Sequence, residues 1–391
     1  MTLAKRSLTG ERVARLPASG IRRFFDLAAG IPGVISLGVG EPDFVTPDAF
    51  REAAIRSIQE GKTQYTSNYG LLALREAIAE HTMALRGVAY DARSEILVTV
   101  GVSEAVDLAL RATLDEGDEV IVADPSYVAY VPGIVLAGGV PVAVPTDEAH
   151  EFRLLPAYVA RAITPRTRAI LLGFPNNPTG AVLEAEDVRG IAALAREHDL
   201  VVYADEIYDR LVYGTAHRSI LDEAGTKERT IYLAGFSKAY AMTGWRVGYA
   251  CAPAEIIEQM MKIHQYAVMC VPTAAQYAAL EALRSGEAEV GRMVGEYDKR
   301  RTRMYERLNG MGLHCFEPRG AFYCFPNVTS TGLSDDEFCE RLLLEEKVVT
   351  VPGNAFGQRG VGHIRACYAT SMEKIDEACD RIERFVGRQR H

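Results

Sequence analysis

The sequence predicts an α/β protein, a mostly parallel sheet flanked by helices, with a smaller α+β domain attached. Three observations carry this. The chain has 391 residues, more than one hydrophobic core usually supports. From Glu95 to Ala252 short apolar runs alternate with helical patterns, as strands joined by crossover helices do. Beyond about residue 255 long helical patterns take over as far as Asn309, and short strands and helices mix thereafter. The expected division is a large domain over 46–280 and a small one over 1–45 plus 281–391.

In chain order, Ser19 is placed to cap a helix with Ile21, Phe24, Phe25 and Ala28 on its apolar face, ending near Gly30. VISLGVGEPDF follows, a strand entering a Gly/Pro turn. Its G-x-G does not make a dinucleotide site, because Asp43 holds the third glycine position and no helix opens there. The Gly360/Gly362 pair fails likewise, with Arg365 in third place. Gly38 and Gly40 read as a turn, or as backbone brought close to a ligand. Helices are expected over 47–60 and from Leu71, with Leu74 and Ile78 inward; the polar loop between them carries Tyr65.

EILVTVG is then a strand, and VSEAVDLALRATL a helix with Val106, Ala109, Leu110 and Leu114 inward and Ser103 at its N-cap. Unpaired N–H groups at such a start seat anions. EVIVA, VPVAVP, RAILLGF and LVVYAD continue the strand series, interrupted by DPSYVAY and PNNPTG. Ligands bind beyond the carboxyl ends of such strands. Ser103, Tyr127, Asn177, Asp205 and Lys238 all fall on that edge. In the last part, Ser334 and Glu337 form a capping box ahead of Phe338 and Leu342, and Ser371 opens a helix with Ile375, Cys379 and Ile382 inward. VVTVPG and HIRACYA between them are strands.

Composition removes several classes of function. Apolar content of 48% and charged content of 24% are those of a globular protein, and a net charge of −9 argues against a broad nucleic-acid surface. The first residues lack the apolar core of a signal peptide, and no apolar run reaches membrane-spanning length. All 7 cysteines lie after position 250 with no C-x-x-C pair, and the 8 histidines are scattered. The expectation is a cytoplasmic protein with reduced thiols and no metal.

Residues 230–254, TIYLAGFSKAYAMTGWRVGYACAPA, hold only two charges, Lys238 and Arg246. Lys238 follows a buried strand on an apolar loop, where desolvation pushes an ammonium toward the neutral amine that a Schiff base needs. Pyridoxal phosphate is an aldehyde cofactor whose every requirement then has a candidate here. The start of the helix at Val102 and Ser103, with Ser237 and Arg246, suits its phosphate. Asp205 suits the pyridine nitrogen, Tyr208 and Asn177 the ring oxygen, and Tyr127 the ring face. Arg365 offers a forked cation to a substrate carboxylate. The blander alternatives are a helix cap for Asp205 and an interdomain ion pair for Arg365.

The motifs SLGVGEPDF, NNPTG, ADEIYD, SKAYAMTGWRVG and HIRACYAT, in this order and spacing, resemble the class I/II pyridoxal-phosphate aminotransferases of fold type I, over nearly the whole chain. The resemblance implies a large cofactor domain, a small domain built from both termini, and a homodimer with active sites at the interface. It implies that Lys238 is the Schiff-base lysine and proton shuttle, and that Asp205, Tyr208, Asn177, Tyr127, Val102, Ser103, Ser237 and Arg246 hold the cofactor. Arg365 matches the arginine that binds the substrate carboxylate, Gly38 a glycine whose backbone faces substrate, and Tyr65 a tyrosine that reaches the partner subunit's phosphate. Cis peptides are expected before Pro125 and Pro178. Within the family the chain looks most like aspartate/aromatic aminotransferases that use 2-oxoglutarate. A dicarboxylate-specific subgroup has a lysine where this chain has Ser103, so aromatic, broad-range and specialised donors stand beside aspartate. A lyase or synthase on the same fold, or a non-catalytic regulatory module, are the competing readings; the chain starts almost directly in the aminotransferase segment, which disfavours the latter.

Overall fold

The structure, a computed structural model, describes residues 8–14, 16 and 27–389. The helix expected behind Ser19 lies largely outside the described residues. The central sheet has 7 strands: β2 (Ile96–Thr99), β3 (Glu119–Asp124), β4 (Val140–Pro145), β5 (Thr167–Gly173), β6 (Val201–Asp205), β7 (Thr230–Gly235) and β8 (Gly248–Cys251), in the order β2-β8-β7-β6-β5-β3-β4. All pairs are parallel except those of β8, which runs antiparallel to both β2 and β7.

The central strands are apolar in nearly every position because both faces are covered. Ile121 and Ala123 of β3 and Val202 and Ala204 of β6 enter one core, whereas Val120, Val122, Val201 and Tyr203 enter the other. The first core also takes Leu74 and Ile78 from the helix Leu72–Arg86 and Val188 and Ile191 from Ala185–Glu197. The second takes Leu108 and Ala109 from Gly101–Thr113 and Ile257 and Met260 from Ala254–Ala267.

One element begins differently from expectation. Ser103 is not an N-cap: the helix opens at Gly101, Val100 is its cap, and Ser103 is an exposed residue in the first turn. The chain leaves β2 through Gly101 at φ +72°, so a residue without a side chain makes the turn before the serine is reached. The Val100 N–H is satisfied instead by the Glu104 carboxylate.

The C-terminal part follows the expected pattern except that VVTVPG, expected as one strand, is two short ones, Val348–Val349 and Val351–Pro352, in different sheets. The Ser334–Glu337 capping box opens the helix Asp335–Glu346, and the helix Met372–Gln389 buries Ile375, Cys379 and Ile382. β9 (Tyr323–Cys324), β11 (Val351–Pro352) and β12 (Ile364–Cys367) form a 3-stranded antiparallel sheet in the order β11-β12-β9. β1 (Ile35–Ser36) pairs in parallel with β10 (Val348–Val349), which ties the N-terminal segment to this part. The helix Thr273–Ser285 packs on Asp48–Gln59 and runs unbroken through residue 280; the chain turns at Gly286. Cis peptides precede Pro125 and Pro178 as expected, and a third precedes Pro175.

Candidate active site

The topology brings the predicted residues to one edge. Asp205 ends β6, Asn177 follows β5, Tyr127 follows β3 and Lys238 follows β7. Because β8 runs antiparallel, the loop from β7 turns back at the same edge, and Arg246 sits where it re-enters the sheet. The start of the helix Gly101–Thr113 meets this guanidinium: a Cβ on Gly101 would lie 2.5 Å from Arg246 Nη2. Gly248 is equally constrained, since a Cβ there would lie 2.6 Å from Val102 N. Glycines therefore let a cation close against a helix N-terminus, and Val102 and Ser237 are both buried.

Lys238 donates from Nζ to the Gly40 carbonyl at 2.6 Å. Its ammonium lies 5.5 Å from the ring centre of Phe322 and 5.7 Å from that of Tyr208. Loss of water lowers its pKa from 10.5 to about 8, with Arg365 and Arg246 pushing the same way against Cys367 and Glu41. A lysine so placed has an accessible neutral form near neutral pH.

Asp205 has the opposite perturbation from the same cause. Burial raises its carboxyl from 3.8 to about 6, against hydrogen bonds from Tyr130 OH (2.8 Å) and the Ile207 N–H (3.2 Å). A buried carboxylate this poorly compensated favours a cationic partner. That is the character required opposite a pyridinium.

Arg365, on β12, is 4% exposed and holds two predicted residues together. Its Nη1 donates to Asn177 Oδ1 at 2.8 Å and its Nη2 to the Gly38 carbonyl at 2.6 Å. The guanidinium lies 4.6 Å from the ring centre of Tyr323 and 4.8 Å from that of Phe356, and its buried Nε has no hydrogen-bond partner among the described residues. A planar cation with an unmet donor suits a carboxylate. The Gly38 and Gly40 carbonyls thus meet Arg365 and Lys238, which fits close backbone approach better than a bare turn.

Two residues stand apart. Tyr65 is 79% exposed on its loop, and Ser103 is exposed on the first helical turn. Tyr127 is half-buried, edge-on to Tyr130 at 5.4 Å. Tyr130 and Tyr323 were not singled out from the sequence. Tyr130 was signalled only by its position three residues past Tyr127, and Tyr323 only by the aromatic run after Gly320.

A family model described as aminotransferase class I and II matches residues 32–382. The chain belongs to this family. It is an aminotransferase (EC 2.6.1.-) of fold type I. It is 46% identical to an aromatic-amino-acid aminotransferase of Thermococcus litoralis, with 96% of this chain and 97% of that one aligned. An aspartate aminotransferase of Pyrococcus abyssi matches with the same 46% identity, 96% and 97% coverage. The crystal structure of an aspartate aminotransferase from Thermotoga maritima superposes with a TM-score of 0.93 at 39% identity, covering 97% of this chain and 100% of that one.

Proposed function

We propose that the enzyme uses pyridoxal 5′-phosphate and works by two half-reactions, taking an amino group from an L-amino acid and giving it to a 2-oxo acid such as 2-oxoglutarate. The observation that carries the reading is the opposed tuning of Lys238, lowered to about 8, and Asp205, raised to about 6, at one sheet edge. The residues fit the cofactor: the glycine-cleared seat between Arg246 and the helix start has the charge and N–H groups that a phosphate needs. When bound, the cofactor supplies an aldehyde for the Lys238 amine and a ring that accepts electrons from the substrate.

In this reading Asp205 keeps the ring nitrogen protonated, while Tyr208 and Asn177 donate to the ring oxygen. Asn177 keeps its amide group for that bond, because Arg365 occupies its Oδ1. Tyr127 covers the ring face; Val102, Ser103, Ser237 and Arg246 hold the phosphate. Arg365 takes the substrate carboxylate beside the Gly38 backbone, and the Lys238 amine moves the proton at the substrate α-carbon.

The exposed Tyr65 supports a homodimer in which this residue reaches the phosphate bound by the partner subunit. The domain assignment is 46–280 for cofactor binding and 1–45 plus 281–391 for the small domain, supported by the β1–β10 pairing. Seven free cysteines, six of them buried, support a cytoplasmic setting. The names of the relatives support aromatic or acidic amino donors, and a broad range of both.

The purified protein is expected to show visible absorbance that Lys238→Ala abolishes; retained absorbance in that variant rejects the central assignment. Mixing the holoenzyme singly with each amino acid, and following loss of that band, identifies the donor.

A further inference from the structure

The hydroxyl of Tyr323 lies 2.8 Å from that of Tyr208, and both rings are buried. Two hydroxyls this close share one proton between their oxygens, so the one that donates outward must accept from the other. Tyr208, as a donor to the cofactor ring oxygen, therefore requires Tyr323 to donate to Tyr208.

We propose that Tyr323 is a positioning residue for transamination, whose hydroxyl orients the Tyr208 proton and strengthens Tyr208 as a donor to the cofactor ring oxygen. The inference rests on the role given to Tyr208 above. Donation into a hydroxyl polarises it, and in a dry site each link in a chain of hydrogen bonds strengthens the next by roughly 10–30%.

The geometry is specific to the hydroxyl and not only to the ring. A Cβ on Gly40 would lie 2.1 Å from the Tyr323 oxygen, so the loop that carries the Lys238 acceptor leaves room for that atom. The ring itself is fixed by the Arg365 guanidinium at 4.6 Å and by Phe322, edge-on at 4.9 Å. Pairing of β9 with β12 sets Tyr323 opposite Cys367, two residues from Arg365. One side chain thus touches the arginine assigned to the substrate, the backbone that meets the lysine, and the tyrosine assigned to the ring oxygen.

The titratable groups facing the pair are Arg365 and Cys367 from β12, Tyr127 from the loop after β3, and Lys238 from the loop after β7. Burial holds the Cys367 thiol up at about 11 and raises the Tyr127 hydroxyl, so near neutral pH neither is charged. Burial likewise keeps both members of the pair protonated.

The test is a pH titration of the visible absorbance of the holoenzyme in four forms: wild type, Tyr208→Phe, Tyr323→Phe and the double variant. Donation to the ring oxygen stabilises its anion and lowers the titration midpoint, so weaker donation raises it. Tyr208→Phe is expected to raise the midpoint most, and Tyr323→Phe to raise it by a few tenths of a pH unit. The double variant should match Tyr208→Phe alone, because Tyr323 acts only through Tyr208. An unmoved midpoint in Tyr323→Phe, or shifts that add in the double variant, overturns the proposal while leaving Tyr208 in its role. An unmoved midpoint in Tyr208→Phe rejects the Tyr208 assignment and this inference with it. If Tyr323→Phe does not accumulate as holoenzyme, Gly40→Ala displaces the same hydroxyl, and an unshifted midpoint there counts equally against the proposal.

Discussion

The Tyr130 hydroxyl reaches Asp205 Oδ2 at 2.8 Å across a position where residue 173 has no side chain. A Cβ at Gly173 would lie 2.4 Å from that hydroxyl. Tyr130→Phe removes one of the donors that hold the Asp205 carboxylate ionised. The expected result is a roughly ten- to hundredfold weaker cofactor affinity with an intact fold, since one hydrogen bond to a charged group contributes about 1.5–3 kcal/mol. Equilibrium titration of the apoenzyme with cofactor measures it; wild-type affinity would remove Tyr130 from the site.

Asp205 also sets a pH-dependent stability. Its folded pKa of about 6 lies above the ordinary 3.8, so the folded state binds more protons between those values. Stability due to this group is present below 3.8 and is lost as pH rises through about 6, by about 3 kcal/mol in all. Asp205→Asn carries no such loss. As apoenzyme it should melt above the wild type at pH about 7.5, with the gap closing toward pH about 4. A gap that stays constant across that range would show that burial of the charge is not its source.

Lys238 runs the opposite way. Its folded pKa, about 8, lies below the ordinary 10.5, so its stabilising contribution is complete above 10.5 and disappears as pH falls through about 8. In the proposed reading the neutral amine is also the form that reacts with the cofactor aldehyde. Capture of the cofactor by the apoenzyme should therefore accelerate with pH and level off above about 8, as followed by the growth of visible absorbance. A rise that continues unbroken toward 10.5 would mean that the lysine is not desolvated as described.

Arg365 bridges Asn177 Oδ1 and the Gly38 carbonyl with two different nitrogens. Arg365→Lys keeps the charge and loses the fork. We expect KM for amino and oxo acids to rise on the order of a hundredfold, with the visible absorbance unchanged. Steady-state kinetics with both substrates decides this, and an unaltered KM would return Arg365 to a structural role.

Gly101→Ala places a methyl group against Arg246 and strains a residue at φ +72°. Displacement of the guanidinium should speed loss of the cofactor when the holoenzyme is diluted, and lower stability by about 1–2 kcal/mol. Dilution followed by absorbance, together with thermal melting, separates the two effects.

The parts of the site that depend on strand ends were legible in the sequence. Asp205, Asn177 and Lys238 each follow an apolar run, and parallel strands put the ends of such runs together. Arg365 was visible as a charge inside an apolar strand. Tyr130 and Tyr323 were not, because their partners Asp205 and Tyr208 lie 75 and 115 positions away, and the chain has 18 tyrosines. Ser103 was misplaced because a capping rule weighs the serine, while the turn was made by Gly101 at positive φ. The order of strands and the reversal of β8 are also invisible locally; an apolar run reads the same in either direction.

That reversal has a mechanical result. A parallel β8 would need a crossover of a dozen or more residues to the opposite end of the sheet. The antiparallel return instead makes the loop over residues 236–247 a ruler whose two ends meet at one edge, with the Lys238 amine at one mark and the Arg246 guanidinium at another. The two cannot drift apart independently, because both ends of the ruler are stitched into neighbouring strands through Gly235 and Gly248. On the proposed reading, an insertion here would misalign the two ends of a single bound molecule, whereas the same insertion after β3 or β5 would move one contact and spare the rest.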